Sequence, residues 1–488
     1  MITIEFDATW WIVLGFVTDI VIRVAAVIIV PRNRRPTAAM AWLLAIYFIP
    51  FVGVLLFLVI GTPRLPRTRR RKQRAINDYI EDTSEGLDFG TPQPGASAWF
   101  TSLVALNRNL GALPLAGDNL ARLVSEYQQS LDDMAATIRT ASRYVNVEFY
   151  ILQTDASTDG FFRALEEVAA RGVTVRVLLD HWANRGKPFY AQTLRRLDAM
   201  GAQWHLMLPV QPLKGRYQRP DLRNHRKLLV VDGEVAYMGS QNVTDSTYNL
   251  RKNIRRGLHW VDLMVRLEGP VVASVNAVFL SDWYSETDEI LSGEIDAIEV
   301  AGAAGTLDCQ IVPSGPGFEF ENNLRLFLGL LYAAQERIVL ISPYFVPDEA
   351  LLLAITTACH RGVHVELFVS EEGDQAVVYH AQRSYYEVLL RAGVHIWMYR
   401  KPYILHTKAF TIDDEVAVIG SSNMDMRSFG LNMEISMLVR GAAFVAQVRE
   451  VEEKYRSLSR ELTLEEWLKQ PLRSTVLDNL ARLTSALQ

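Results

Sequence analysis

HRKLLVVDGEVAYMGSQN, residues 225–242, and HTKAFTIDDEVAVIGSSN, residues 406–423, carry one pattern twice. His225, Lys227, Asp232, Gly239, Ser240 and Asn242 return as His406, Lys408, Asp413, Gly420, Ser421 and Asn423, each displaced by 181 residues. In each copy an apolar, β-branched run enters a turn at Asp-Gly or Asp-Asp and leaves it again, which predicts strand–turn–strand. His and Lys, two apart, are expected on one face of the first strand. Gly-Ser-x-Asn closes the second strand and can aim a hydroxyl, an amide and backbone N–H groups at the same oxygen atoms. An isolated His-x-Lys carries no weight, but six matched positions twice over, in a chain with nine histidines, are specific.

The repeat extends outward from these motifs. YVNVEFYIL (144–152) answers IVLISPYFV (338–346), ARGVTVRV (170–177) answers HRGVHVEL (360–367), and LDAMGAQWHLM around Gly201 answers LLRAGVHIWMY around Gly393. Buried strands alternating with helices predict an α/β sandwich in each half, with domains at 99–290 and 307–488. The period is too long for a solenoid, so the chain reads as a duplicated domain with the halves about a pseudo-twofold. An acidic, Gly/Ala-containing stretch over 286–306 separates them.

Residues 10–30 and 40–60 are each 21 mostly apolar residues, close to the roughly 20 needed to cross a bilayer. Joined by PRNRRPTAA, they predict a transmembrane hairpin over 1–63. Glu5, Asp7 and the lack of a basic n-region argue against a cleaved signal peptide. Asp19 and Arg23, four apart, are expected to pair on one helix face. A linker over 64–98 begins basic, with Arg64, Arg67, Arg69, Arg70, Arg71, Lys72 and Arg74, and turns acidic from residue 75. The basic flank predicts a cytoplasmic catalytic body and contact with anionic headgroups. Arg32, Arg34 and Arg35 in the connecting loop pull the other way and leave a re-entrant hairpin as a second reading.

The chain carries a net charge of −5. Residues 1–75 hold eleven Lys/Arg against three acidic residues, so the remainder carries −13, which argues against a nucleic-acid partner. Only Cys309 and Cys359 are present, so no disulfide framework is expected. Gly362 interrupts the helix that a His360/His364 zinc pair would need, no P-loop is present, and neither metal nor cofactor is expected. The amphipathic C-terminal segment is expected to pack on the second half.

Two histidines from two halves suit phosphodiester exchange. One imidazole attacks phosphorus, while the other protonates the departing alcohol and deprotonates the incoming one. Lys227 and Lys408 would neutralise phosphoryl oxygens, with Ser240, Asn242, Ser421 and Asn423 completing phosphate binding. Glu434, 28 residues after His406, and Asp262, after the first motif, are candidates to orient the histidines at Nδ1. Asp232 and Asp413 complete each catalytic motif, but their place at the turns suits structure more than chemistry.

The doubled motif resembles the phospholipase D superfamily and, within it, the bacterial cardiolipin synthases. RRPTAAMAWLLAIYFIPFVGVLLFLVIG, VEFYIL, ARGVTVRVLLD, VRLEGPVV with Asp282-Trp283, IVPSGPG, SPYFVPD, NMDMRSFGLNMEISMLV and LDNLARLTSAL extend the likeness over nearly the whole chain. Two positions depart from it. Gly239-Ser240 stands where many members have Gly-Gly, and His259-Trp260-Val261-Asp262 replaces the commoner basic residue before the aspartate. The resemblance implies two phospholipase D-like α/β domains behind a membrane segment, in the inner (plasma) membrane and multi-pass. It implies that two phosphatidylglycerols yield cardiolipin and glycerol through a phosphatidyl-histidine, with His225 as nucleophile and His406 as acid/base. Phosphatidylglycerol and anionic membrane lipids are then the expected partners. Hydrolysis, or another head-group exchange, is the alternative, because the same residues serve it.

Overall fold

The computed structural model describes residues 8–484 except 33, 35, 62–64, 85–88, 112, 212, 214–215, 292–300 and 319. Glu5, Asp7, Arg35, Arg64 and the 85–88 and 292–300 parts of the two acidic stretches lie outside the described residues. The chain divides into two units, Met1–Arg64 and Leu65–Gln488.

In the first unit, α1 (Ala8–Ile29) contains one apolar stretch of spanning length, Trp10–Ile29, with mean hydropathy 2.5. The second apolar stretch is not the single helix expected over 40–60. It forms α2 (Pro36–Phe48) and α3 (Pro50–Ile60), which break at Ile49 because Pro50 has no amide hydrogen and its ring disfavours a helical residue before it. At 1.5 Å per residue the pieces are about 20 and 16 Å long, each short of a bilayer core.

Arg34 records where the pieces go. Its Nη1 donates to Val30 O at 2.7 Å, at the end of α1, while Nη2 and Nε donate to Gly61 O at 3.0 and 3.2 Å, just past α3. One guanidinium thus closes two helix C-termini, where a cation complements the carbonyl dipoles. The chain therefore returns, at the end of α3, to the level where α2 began. Ala26, Val30, Ala39 and Ile46 are buried among the three helices. Trp10, Phe48 and Leu58 face outward. Asp19 and Arg23 pair at 2.7 Å, as their spacing predicts.

The second unit is built on one sheet of fifteen strands in line, with the two-residue Arg223–Asn224 paired off the path as a sixteenth. The first half supplies β1 (Leu115–Val124), β2 (Tyr144–Phe149), β3 (Thr174–Asp180), β4 (Gln203–Met207), β5 (Lys227–Val231), β6 (Val235–Gly239) and β7 (Met264–Glu268). The second supplies β8 (Leu307–Ser314), β9 (Arg337–Ile341), β10 (His364–Ser370), β11 (His395–Tyr399), β12 (Ala409–Ile412), β13 (Val416–Gly420), β14 (Asn432–Arg440) and β15 (Ser459–Leu462). Outward from an antiparallel β1–β8 seam, one side runs β1-β7-β6-β5-β2-β3-β4 and the other β8-β14-β13-β12-β9-β10-β11, with β15 added at the far edge. Each motif is the strand–turn–strand expected, β5–β6 and β12–β13. The halves do not keep separate sheets. Pairing at the seam satisfies two edges that would otherwise present unbonded backbone groups.

The core beside the seam is shared by both halves. Leu228, Met238 and Leu267 lie in the same apolar cluster as Ile311, Ile419 and Met437, together with the buried helix Val271–Thr287. Residues 67–84, inside the expected linker, form α4 (Arg67–Ser84), which packs on that helix. Arg69 pairs with Glu286 through two 2.7 Å bonds, so one cation of the basic run serves the fold. The C-terminal helix Leu472–Arg482 docks on Ala376–Arg383, as expected, through buried Asp478, which accepts from Arg383 Nε at 3.2 Å and lies 2.6 Å from His380 Nδ1.

Candidate active site

Two short parallel pairings join the halves and deliver the histidines. Arg223–Asn224 pairs with Asn432 and Met433 at the head of β14, and His259–Val261 pairs with Tyr403–Leu405. The ladders continue one residue further, so His225 N donates to Met433 O at 2.8 Å and His406 N to Val261 O at 2.7 Å. Each histidine therefore lies beside the residue that follows, Glu434 or Asp262, and each carboxylate belongs to the opposite half. His225 Nδ1 is 3.0 Å from both Glu434 oxygens and 3.1 Å from Ser421 O. His406 Nδ1 is 2.6 Å from Asp262 Oδ1. A carbonyl only accepts, so His225 carries its proton on Nδ1 and keeps the Nε2 lone pair. Glu434 and Asp262 thus lie at the two Nδ1 atoms, each against the histidine of the other half. Both histidines precede their strands instead of sitting on them.

The other motif positions hold this frame. At Gly239 a Cβ would meet Leu263 O at 2.3 Å, and at Gly420 it would meet Ile435 O at 2.2 Å, so only glycine admits the backbone of the residue that follows each carboxylate. Ser240 Oγ donates to Asp262 Oδ1 at 2.7 Å and Ser421 Oγ to Glu434 Oε2 at 2.5 Å. The serines expected on phosphate are thus engaged with the carboxylates, because the close strand approach turns them inward. Asn242 lines the cavity described below, but its amide is already partly engaged. Its Oδ1 accepts from Ile151 N at 3.0 Å and its Nδ2 donates to Tyr248 OH at 2.8 Å, which commits the amide to a loop and a ring. Among the described residues the Asn423 carboxamide makes no hydrogen bond, although Asn423 lines the cavity described below.

Asp232 and Asp413 occupy left-handed turns, at φ 52° and 47°. Asp232 accepts from the backbone of Ser142, Arg143 and Tyr144 at 2.7–2.8 Å, and Asp413 from Gln335, Glu336 and Arg337 at 2.8–3.3 Å. They clasp the start of a neighbouring strand and do not touch the histidines.

Lys227 Nζ donates to His225 O at 2.5 Å and Lys408 Nζ to His406 O at 2.6 Å. Each ammonium has three donors, so two remain on each. Burial dominates the electrostatics. Together with the Lys227 and Lys408 charges it holds His225 well below the usual imidazole range. Burial first and Lys408 second bring His406 down to about 4, against the pull of Asp262. Burial also lowers Lys227 well below the amine range and Lys408 to about 8. The Glu434 carboxyl is pushed by burial up to about 7. Asp262, equally buried, is nevertheless held below its ordinary value by His406, Lys408 and the Ser240 hydroxyl.

Both histidines line one cavity of about 500 Å³. Its aromatic wall was not foreseen. The Tyr150 ring lies 4.9 Å from His225 and 5.2 Å from Lys227 Nζ, Tyr248 lies 6.4 Å from His406, and Trp260 lies 4.8 Å from Tyr248. Tyr150 lies within the VEFYIL pattern, so its position was within reach of the sequence. Lys187 and Lys252, which no motif marks, and Arg427, from the NMDMRSFGLNMEISMLV segment, also line the cavity.

The family model "Cardiolipin synthase, PLD-like domain" matches residues 134–283 and 327–455, which take in both motifs. Cardiolipin synthase A of Cronobacter sakazakii is 33% identical over 98% of each chain, and that of Proteus mirabilis is 31% identical over 93% of this chain and 94% of its own. The chain belongs to the cardiolipin synthase family of the phospholipase D superfamily. A second model of that superfamily, "Phospholipase_D-nuclease N-terminal", matches residues 20–61. The fold recurs in the crystal structure of phosphatidylserine synthase from Haemophilus influenzae Rd KW20, with TM-score 0.60 and 16% identity over 79% of this chain and 99% of that one.

Proposed function

We propose that this cavity transfers the phosphatidyl group of one phosphatidylglycerol to the head-group hydroxyl of a second, giving cardiolipin and glycerol. The observation that carries the reading is the crossed pair of histidine–carboxylate contacts opening on one cavity, in a chain one third identical to cardiolipin synthases. His225 Nε2 bonds to phosphorus, the bond from phosphorus to the glycerol oxygen breaks, and glycerol leaves with a proton from His406. The incoming hydroxyl then returns a proton to His406, its oxygen bonds to phosphorus, and the phosphorus–nitrogen bond breaks. One phosphodiester replaces another, so no external energy source is required.

The assignment of roles is supported by the carboxylates. His406 faces Asp262, which is held ionised and suits an imidazolium, whereas His225 faces Glu434, whose carboxyl is drawn toward neutrality and favours a neutral nucleophile. A bound phosphodiester anion opposes the lysine charges that depress His406 and so favours its protonated form when the alcohol leaves. The free N–H donors of Lys227, Lys408 and Asn423 would meet the phosphoryl oxygens.

The same reading takes 1–63 as the membrane unit, 64–98 as a connector, and 99–290 and 307–488 as two phospholipase D-like domains about a pseudo-twofold. The mirrored strand order supports the duplication. It takes α1 as a single crossing and α2–α3 as re-entrant, which gathers Arg32, Arg34 and the basic flank on the cytoplasmic face of the plasma membrane. Purified protein given phosphatidylglycerol in mixed micelles is expected to release free glycerol and accumulate cardiolipin. Phosphatidic acid as the main product would overturn the synthase reading in favour of hydrolysis.

A further inference from the structure

An acceptor that is itself a phospholipid brings a second phosphodiester anion to the cavity, while the catalytic cations are occupied with the first. Lys187 and Lys252, both from the first half, line the cavity that holds His225 and His406. Among the described residues neither lysine has a carboxylate within 4.0 Å. Asp374 also lines the cavity, but its two oxygens lie 3.0 and 3.1 Å from Tyr344 OH, which holds them. Lys187 is half-buried and Lys252 exposed; burial and the charge of Lys252 lower the Lys187 pKa, against a weaker opposing pull from Asp374. Two neighbouring cations that no carboxylate pairs directly repel one another, and an anion set between them relieves the repulsion.

Their position is specific. Lys187 Nζ lies 5.8 Å from the centroid of the Tyr248 ring, and that ring lies 6.4 Å from the His406 imidazole. Lys187 therefore stands on the His406 side, where the proposed reaction deprotonates the incoming hydroxyl, and Lys252 is close enough for its charge to act on Lys187. In phosphatidylglycerol that hydroxyl and the phosphate are separated by the three carbons of the head-group glycerol.

We infer that Lys187 and Lys252 form a second phosphodiester subsite, which holds the acceptor lipid's own phosphate one glycerol away from the phosphorus under attack. The inference rests on the proposed transfer and deepens it. Water or free glycerol needs no such subsite, so the pair selects a lipid acceptor over either.

The test uses the full chain in phosphatidylglycerol mixed micelles and reads two reactions from one preparation: cardiolipin formation, and exchange of labelled free glycerol into phosphatidylglycerol. Exchange uses the same donor, the same phosphohistidine and the same acid/base, but an acceptor without phosphate. In Lys187→Met/Lys252→Met, cardiolipin formation is expected to fall roughly tenfold or more, through the KM for the lipid acceptor, while exchange stays within about twofold. Lys187→Arg/Lys252→Arg is expected to restore most of the loss. A parallel fall in both reactions would overturn the inference, because the lysines would then serve the donor, the fold or a general lipid surface. Unchanged cardiolipin formation would overturn it too. A wild-type protein that exchanges glycerol but makes no cardiolipin would instead refute the transfer on which the inference rests.

Discussion

An imidazole whose Nδ1 proton is held by a carboxylate has one nitrogen left to act with, and this chain buries two of them against one cavity. His225→Ala and His406→Ala are each expected to lower lipid transfer by about 10³-fold or more. With a donor whose leaving group needs no proton, such as a p-nitrophenyl phosphodiester, His406→Ala is expected to trap a covalent adduct and His225→Ala none, read by intact-protein mass. The reverse pattern would exchange the two roles. Lys408 gives a pH prediction. Its ammonium is held at about 8 in the fold, below the ordinary amine value, so the charge is present below pH 8 and lost as pH rises through it. The kcat/KM for phosphatidylglycerol is therefore expected to fall about tenfold per pH unit above that point. A profile flat to pH 10 would show that the charge is not used.

Secondary structure decides which motif residues are chemical. Asp232 and Asp413 recur with the histidines in both copies, yet each accepts backbone N–H groups at the start of a neighbouring strand. Asp232→Ala is expected to cost about 2–3 kcal/mol of stability, from lost bonds to a charged acceptor, while the folded protein keeps its kcat. Denaturant titration beside the transfer assay separates the two effects. Strand–turn–strand and the repeat were legible in the sequence because they depend on local period and composition. The serine contacts were not. A hydroxyl at a strand end can face a ligand or a neighbouring carboxylate, and only the approach of β7 to Gly239 and of β14 to Gly420 decides it. The break at Ile49 was legible, since Pro50 announces it; a window of average hydropathy passes over a single proline.

At the scale of the molecule, the re-entrant reading of α2–α3 places Arg32 on the same side of the membrane as the basic flank, and a two-span hairpin places it opposite. Arg32→Cys is expected to resist a membrane-impermeant maleimide applied outside intact spheroplasts and to react after lysis, whereas labelling from outside would restore the hairpin. The joining of the halves into one sheet lay beyond sequence reading, because no local signal tells a strand at a domain edge that its partner is the edge of a copy. The crossed contacts have a consequence for ancestry. Once Glu434 serves His225 and Asp262 serves His406, neither half retains a complete histidine–carboxylate pair of its own. Deleting either copy would strand an imidazole without its anchor and a carboxylate without its proton donor. The duplication thereby fixes the working unit at two halves: a half left alone could regain a crossed pair only by docking on a second copy of itself.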